Sequence, residues 1–272
     1  MKIKVSQGQV NVAVRRQTTA PSWLLLHGFM GSHHDYDEIA KRLPGTVIVP
    51  DLLGHGETEA RAGVGFDMTT QVAVLHELLH QNYSALLPLT IVGYSMGGRV
   101  AIAYAASYPA DVLRLVVESG RPGLATEAER LARQAHDAQL ADRLLTTSLP
   151  AFVSKWEQLP LFASQRHLSA VVQQAVRVGR LRQSPSNLAR SLREMGTGQQ
   201  PNYWPELPKI TVPVTLLTGE LDTKFTTIAR MMLAQLPKAT HDVIAGVGHN
   251  VHLEAPDRYV ASLVREASYE TE

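Results

Sequence analysis

The stretch Ile91-Val92-Gly93-Tyr94-Ser95-Met96-Gly97-Gly98-Arg99 sets a serine between two glycines in a G-x-S-x-G pattern. Ahead of it, Leu89-Thr90-Ile91-Val92 is apolar and β-branched and reads as a buried strand. Behind it, residues 99–107 are rich in alanine and read as a helix. A serine at such a strand-to-helix turn occupies strained backbone, with its hydroxyl held clear of the sheet. The flanking glycines let neighbouring chain pass close by, and the helix N-terminus favours negative charge developing there. The stretch predicts a nucleophile elbow.

Outward from the elbow, strands alternate with helices. Residues 2–5 and 9–15 alternate apolar and polar about Gln7-Gly8, the pattern of an opening hairpin. Trp23-Leu24-Leu25-Leu26 is a short strand running into His27-Gly28-Phe29-Met30-Gly31. Residues 35–43 read as a helix, 46–49 as a strand closing at Pro50-Asp51, 69–79 as a helix and 112–117 as a strand. The alternation argues for an α/β fold with a mostly parallel central sheet flanked by helices.

After Glu118-Ser119-Gly120 the pattern changes, and residues 121–200 read as helices without a strand. The capping box Thr126-Glu127-Ala128-Glu129 opens the first, Pro150 and Pro160 bracket a second around Trp156, and residues 168–181 make a third. The sheet resumes at 214–217, followed by a helix over 227–236, a strand at 242–244 and a last helix from Pro256. Residues 1–120 and 201–272 are thus expected to form the core. Residues 121–200 are expected to form a lid inserted between the sheet halves, over the carboxyl ends of the strands.

Composition narrows the function. Of 272 residues, 44% are hydrophobic and 19% charged, ordinary for a soluble protein, and none is cysteine. No apolar run reaches membrane-spanning length, and Met1-Lys2-Ile3-Lys4 lacks a signal peptide's hydrophobic region. A cytoplasmic monomer or small homo-oligomer, with no membrane association, is expected. The net charge is only +1, but residues 121–200 hold ten arginines and Lys155 against six acidic residues, a surplus of five. A basic lid over a serine predicts a small anionic substrate. Nucleic acid is excluded as a partner, because no basic stripe carries interleaved aromatics. With no glycine-rich phosphate loop and no cluster at metal-ligand spacing, neither a cofactor nor a metal is expected.

A serine hydroxyl gains reactivity when a histidine shares its proton and a carboxylate fixes the histidine's tautomer. In G-x-S-x-G sheets the partners follow in the order serine, acid, histidine. Asp222 follows the strand at 214–217, and His249 follows the strand at 242–244 within Gly246-Val247-Gly248-His249-Asn250. Glu220 and His252 are the rivals to these two, and His252 reads as structural. The backbone N–H groups of Phe29 and Met96 are expected to form an oxyanion hole. His27 and His55 read as braces of their loops.

The chain resembles the α/β-hydrolase superfamily through His27-Gly28, Gly54-His55-Gly56, Gly93 to Gly97, Asp222 and Gly248-His249. More narrowly it is similar to the 2-succinyl-6-hydroxy-2,4-cyclohexadiene-1-carboxylate synthase family of the menaquinone pathway. That similarity rests on Arg99 after the elbow, Glu118 to Leu124, Glu129 to Asp137, Trp156 to Ser164, Asp222-Thr223-Lys224-Phe225 and Gly248-His249-Asn250-Val251-His252. The resemblance implies a cofactor-independent lyase that eliminates pyruvate, its triad serine acting as a base without an acyl-enzyme. It implies that Arg99, Arg133 and Arg177 hold substrate carboxylates, with Tyr94 and Trp156 beside them. Leu53 before Gly54 departs from the family, which more often has proline there.

Two other readings remain. A carboxylesterase or C–C bond hydrolase would use the same triad through an acyl-enzyme and would favour an apolar lid. A ligand-binding protein would carry the triad idle, but none of its three residues is altered. Dehalogenase chemistry needs an aspartate where Ser95 stands.

Overall fold

In the computed structural model, which describes residues 1–16 and 21–265, nine strands join one sheet. They are β1 (Lys2–Val5), β2 (Gly8–Arg15), β3 (Ser22–Leu26), β4 (Thr46–Pro50), β5 (Glu59–Ala60), β6 (Leu89–Tyr94), β7 (Val112–Glu118), β8 (Val214–Gly219) and β9 (Ala239–Ile244). The helices are α1 (Asp37–Arg42), α2 (Met68–Asn82), α3 (Met96–Ser107), α4 (Glu127–Thr146), α5 (Leu149–Trp156), α6 (Ala170–Leu181), α7 (Pro185–Met195), α8 (Thr223–Leu233), α9 (Val251–Glu254) and α10 (Pro256–Val264). The sheet order is β1-β2-β4-β3-β6-β7-β8-β9, with β5 on β2. Pairing is antiparallel from β1 to β4 and parallel from β4 to β9.

Each central strand is apolar on both faces, because both faces are covered. Leu24, Leu26, Ile91, Leu115, Val117 and Leu216 point into one apolar cluster with α2, α3 and α8. Their neighbours Trp23, Leu25, Val92, Val116 and Leu217 point into a second cluster with α1, α9 and α10. The two-residue period of a strand thus places alternate side chains in two separate cores. Burying one such side chain contributes about 1.5–3 kcal/mol.

Residues 121–200 contain no strand and carry a core of their own. Ala141 and Leu144 of α4, Phe152 and Val153 of α5, and Leu188, Ala189 and Leu192 of α7 form it, together with Met30 of the core loop. The capping box at Thr126 is made, with Glu129 Oε2 accepting the Thr126 N–H at 3.0 Å. Helix α7 is an addition to the three read from the sequence. Its signal is present: Ser184 caps it, Pro185 occupies its first turn, and Leu188, Leu192 and Met195 repeat on one face.

Other boundaries move for identifiable reasons. The segment expected as one helix over 35–43 is a short 3₁₀ turn, His33–Tyr36, followed by α1. Helix α8 begins at Thr223 and not at residue 227, because Asp222 caps it by accepting the Phe225 N–H at 3.1 Å. From the sequence no cluster is expected at metal-ligand spacing, and the fold brings one candidate group together. His76 and His80 of α2 converge with Asp111, a third group that lies 31 residues beyond His80 and is brought in only by the fold.

Candidate active site

The elbow forms where β6 runs into α3. Ser95 has φ +50° and ψ −102°, left-handed backbone that costs a non-glycine residue on the order of 1–3 kcal/mol. Two close approaches hold it. A Cβ on Gly93 would lie 2.2 Å from the Gly97 carbonyl oxygen, and one on Gly97 would lie 2.0 Å from that of Leu26. Only glycine fits at either place. The Ser95 N–H donates to the Glu118 carbonyl at 2.8 Å, tying the elbow to the end of β7.

The carboxyl ends of β6, β8 and β9 then supply the line of proton-sharing groups. His249 Nε2 lies 3.0 Å from Ser95 Oγ, and His249 Nδ1 lies 2.6 Å from Asp222 Oδ2. Asp222 Oδ1 is occupied by the Phe225 N–H, so one carboxylate caps α8 and faces His249 together. His249 and Asp222 are buried, while Ser95 is partly exposed. With Nδ1–H directed to the carboxylate, the Nε2 lone pair is left for the serine proton. Glu220 does not join this line; its carboxylate accepts the Gly246 N–H at 2.8 Å.

His252 reads as structural in the sequence, and its contacts are those of a brace. Its Nδ1 lies 2.8 Å from Glu118 Oε2, and its ring stacks on Tyr36 at 4.7 Å. Glu118, fully buried, escaped the sequence reading as a positioning group. Its carbonyl takes the Ser95 N–H and its carboxylate takes both the N–H and the ring of His252, three residues after His249. His27 accepts the Leu52 N–H at 3.0 Å and faces the Gly28 carbonyl at 2.8 Å, bracing its loop. His55 faces the Leu53 carbonyl at 3.2 Å, and burial pulls its imidazole down to about 3, so it stays neutral. The N–H groups of Phe29 and Met96 have no protein partner among the described residues.

Ser95 and His249 open onto a cavity walled by Phe29, Tyr94, Trp156 and Phe162 and by four cations, Arg99, Arg121, Arg133 and Lys224. Trp156 packs between Phe29 and Phe162, with ring centroids 5.4 and 5.8 Å away. Burial, reinforced by Glu118, pushes the Tyr94 hydroxyl well above its usual range and keeps it neutral. Arg99 is buried, donating to the Met195 carbonyl at 2.8 Å and to Gln200 Oε1 at 3.1 Å. Arg133 Nε donates to Asp137 Oδ1 at 2.8 Å.

These cations oppose one another. Burial, with Arg133 adding to it, pulls the Arg99 guanidinium down to about 9. Burial and then Arg133 lower Arg121, although Glu129 partly offsets them; burial, Arg121 and Arg133 lower Lys224 against Asp222. A downward shift on a base means that its charge is under-compensated, and an anion entering the cavity relieves it. Sequence reasoning gave Arg121 and Lys224 no binding role, although they stand three residues past the end of β7 and two past Asp222.

Arg177, expected beside the substrate, does not line this cavity. Its Nη1 donates to Glu157 Oε2 at 2.6 Å and its Nη2 to Ser154 Oγ at 3.0 Å. It lines a second cavity with Arg166, Arg180 and Gln165. Spacing from Trp156 could not foresee that Glu157, the next residue in the chain, would engage it.

The chain is similar to known proteins over most of its length. The family model described as the alpha/beta hydrolase fold matches residues 21–256. An Enterobacter sp. (strain 638) protein named 2-succinyl-6-hydroxy-2,4-cyclohexadiene-1-carboxylate synthase is 35% identical over 245 residues, covering 89% of this chain and 90% of that one. A Bacillus subtilis (strain 168) protein, provisionally given the same name, is 40% identical over 269 residues, or 98% and 97% of the two chains. Among solved structures, MenH from S. aureus is 34% identical with a TM-score of 0.89, covering 95% of this chain and 97% of its own. The chain belongs to the α/β-hydrolase fold family, in the branch whose members are named 2-succinyl-6-hydroxy-2,4-cyclohexadiene-1-carboxylate synthase.

Proposed function

We propose that the protein is a cofactor-independent lyase converting 2-succinyl-5-enolpyruvyl-6-hydroxy-3-cyclohexene-1-carboxylate into 2-succinyl-6-hydroxy-2,4-cyclohexadiene-1-carboxylate and pyruvate, a step of menaquinone biosynthesis. The observation that carries this reading is the hydrogen-bonded line Ser95–His249–Asp222 opening onto a cavity lined by four cations, three of which, Arg99, Arg121 and Lys224, have lowered proton affinity. An acyl-transfer enzyme has no need of so much positive charge, whereas a substrate with several carboxylates does.

The bond changes assign the roles. The ring double bond moves from C3=C4 to C2=C3, a second forms at C4=C5, and the C5–O bond breaks. The proton lost is therefore the one on C2, next to the succinyl carbonyl. Ser95 Oγ takes that proton while passing its own to His249 Nε2, and Asp222 steadies the resulting imidazolium. Charge develops on the succinyl oxygen, where the free N–H groups of Phe29 and Met96 serve as the oxyanion hole. The enolpyruvate leaves and gains a proton on carbon to become pyruvate. Arg99 and Arg133 hold carboxylates, with Arg121 and Lys224 added to the set, and Tyr94 and Trp156 shape the ring site. Residues 121–200 act as a lid on a core of residues 1–120 and 201–272. The enzyme works in the cytoplasm, as a monomer or small homo-oligomer.

Pyruvate release from the enolpyruvyl substrate, followed through lactate dehydrogenase, tests this directly. Rapid pyruvate formation with no covalent adduct on Ser95 by mass spectrometry is expected. Fast turnover of simple esters through an acyl-Ser95, without pyruvate, would overturn it.

A further inference from the structure

The two histidines of α2 take no part in the serine cavity. His76 and His80 stand four residues apart, so both rings leave the same face of the helix. Asp111, in the single turn Pro109–Asp111 that leads into β7, meets them there. His76 Nδ1 lies 3.1 Å from Asp111 Oδ2, and His80 Nε2 lies 3.1 and 3.0 Å from Oδ1 and Oδ2. One ligand atom from each residue falls within 4.8 Å of the other two. Around a tetrahedral zinc ion with bonds of about 2.0–2.2 Å, neighbouring ligand atoms stand about 3.3–3.6 Å apart. The two imidazole-to-carboxylate distances are close to that spacing.

Outer contacts fix His76 and Asp111. The His76 ring stacks on Tyr108 with centroids 3.7 Å apart and planes inclined by 5°. The two imidazole centroids are 4.1 Å apart. The Tyr104 hydroxyl donates to Asp111 Oδ2 at 2.7 Å, setting the carboxylate plane. Such hydrogen bonds behind the ligands orient them and raise metal affinity. The Asp111 side chain is 9% exposed, but those of His76 and His80 are 32% and 44% exposed, so an ion reaches the site from solvent. Two imidazole nitrogens and a carboxylate aimed at one point repel one another unless protons or a cation lie between them.

We propose that His76, His80 and Asp111 bind a divalent transition-metal ion of the zinc class, clamping α2 to the start of β7. Two imidazoles with one carboxylate suit zinc and its neighbours; magnesium and calcium prefer an all-oxygen set. The location decides the role. Asp111 precedes the amino end of β7, whereas Ser95, Asp222 and His249 follow the carboxyl ends of β6, β8 and β9. The clamp sits at the opposite end of the strands from the serine, and it stabilises the fold without entering the chemistry. Three protein ligands leave a position for water.

The test uses the full chain, stripped with chelator and titrated with Zn²⁺ by calorimetry, with melting temperature as a second readout and Mg²⁺ as the contrasting ion. One Zn²⁺ per chain at micromolar concentration is expected, with a rise in melting temperature that chelator reverses and Mg²⁺ does not reproduce. His76→Ala, at a half-buried position, and His80→Ala, at an exposed one, should each weaken binding at least about tenfold. Ser95→Ala and His34→Ala should leave it unchanged, and pyruvate release should not depend on Zn²⁺. Binding that persists in both α2 variants, or that disappears in Ser95→Ala, overturns the site. So does a melting temperature that follows pH alone and ignores Zn²⁺, which would leave the three groups a proton-held clasp.

Discussion

The cavity beside Ser95 and the cavity beside Arg177 are both lined with arginine and are of the same order of size. Size does not distinguish their capacity for an anion; the partners of the cations do. In the second cavity Arg177 and Arg180 both reach Glu157, at 2.6 and 3.2 Å. In the first, Arg99 meets only neutral oxygens, Arg121 a carbonyl, and Arg133 shares Asp137. Burial, with their mutual repulsion added to it, lowers the proton affinity of Arg99, Arg121 and Lys224. A count of basic residues along the chain treats the two sets alike, but the positions of Glu157 and Asp137 separate them.

The largest expected effect lies at the base that the first cavity surrounds. Ser95→Ala and His249→Ala should each lower kcat for pyruvate release by several orders of magnitude with the melting temperature little changed, and the double variant should be no worse than either. Near-normal turnover in Ser95→Ala would separate the cationic cavity from the chemistry altogether.

Next come the guanidinium groups of that cavity. Arg99→Ala or Arg133→Ala removes a charge-assisted pair of about 1.5–3 kcal/mol, a ten- to hundredfold loss in kcat/KM. Lysine at either position should restore only part of it, because the charge returns without the planar fork. Since Arg133 also holds Asp137, its variant should show the smaller loss of the two.

Much of this was legible in the chain and some was not. The elbow, Asp222 and His249 stand at strand ends, where a short apolar run and glycines fix the backbone, so sequence alone locates them. Tyr94, Arg99, Arg133 and Trp156 do line the serine's cavity. Arg177 does not, because its side chain answers to helix packing: α6 sits against α5, and Glu157 at the end of α5 lies within its reach. The Glu118–His252 pair was equally hidden, since 134 residues separate its members and neither carries a motif of its own. The cluster of His76, His80 and Asp111 needed β7 to be placed before its third member could be seen.

A smaller effect, readable in pH, belongs to Lys224. Burial, Arg121 and Arg133 lower its proton affinity, so it loses its charge at a pH below the usual lysine value of about 10.4. A base lowered in the folded state binds fewer protons there than in the unfolded chain. Its charged form therefore costs stability at neutral pH, and stability recovers as pH rises through the folded value. An anionic substrate offsets that cost and raises the value again. Hence kcat/KM should fall on an alkaline limb that lies at lower pH than the limb of kcat. Lys224→Arg should move the kcat/KM limb upward. An unmoved limb in that variant would assign it to another group.

The smallest effect should come from Arg177, and it tests the distinction between the cavities most sharply. Its guanidinium already has a carboxylate at 2.6 Å and a hydroxyl at 3.0 Å, so a substrate carboxylate would have to displace Glu157 to gain it. Arg177→Ala removes a half-exposed pair, of a kind that contributes about 0–1 kcal/mol, and Arg180 remains to hold Glu157. The change in kcat/KM should stay within about fivefold, well short of Arg99→Ala. Glu157→Gln supplies the converse, because it frees Arg177 and Arg180 together and should make the second cavity resemble the first. If Arg177→Ala is as damaging as Arg99→Ala, the pair with Glu157 opens during turnover, and the two cavities form one binding site when substrate is present.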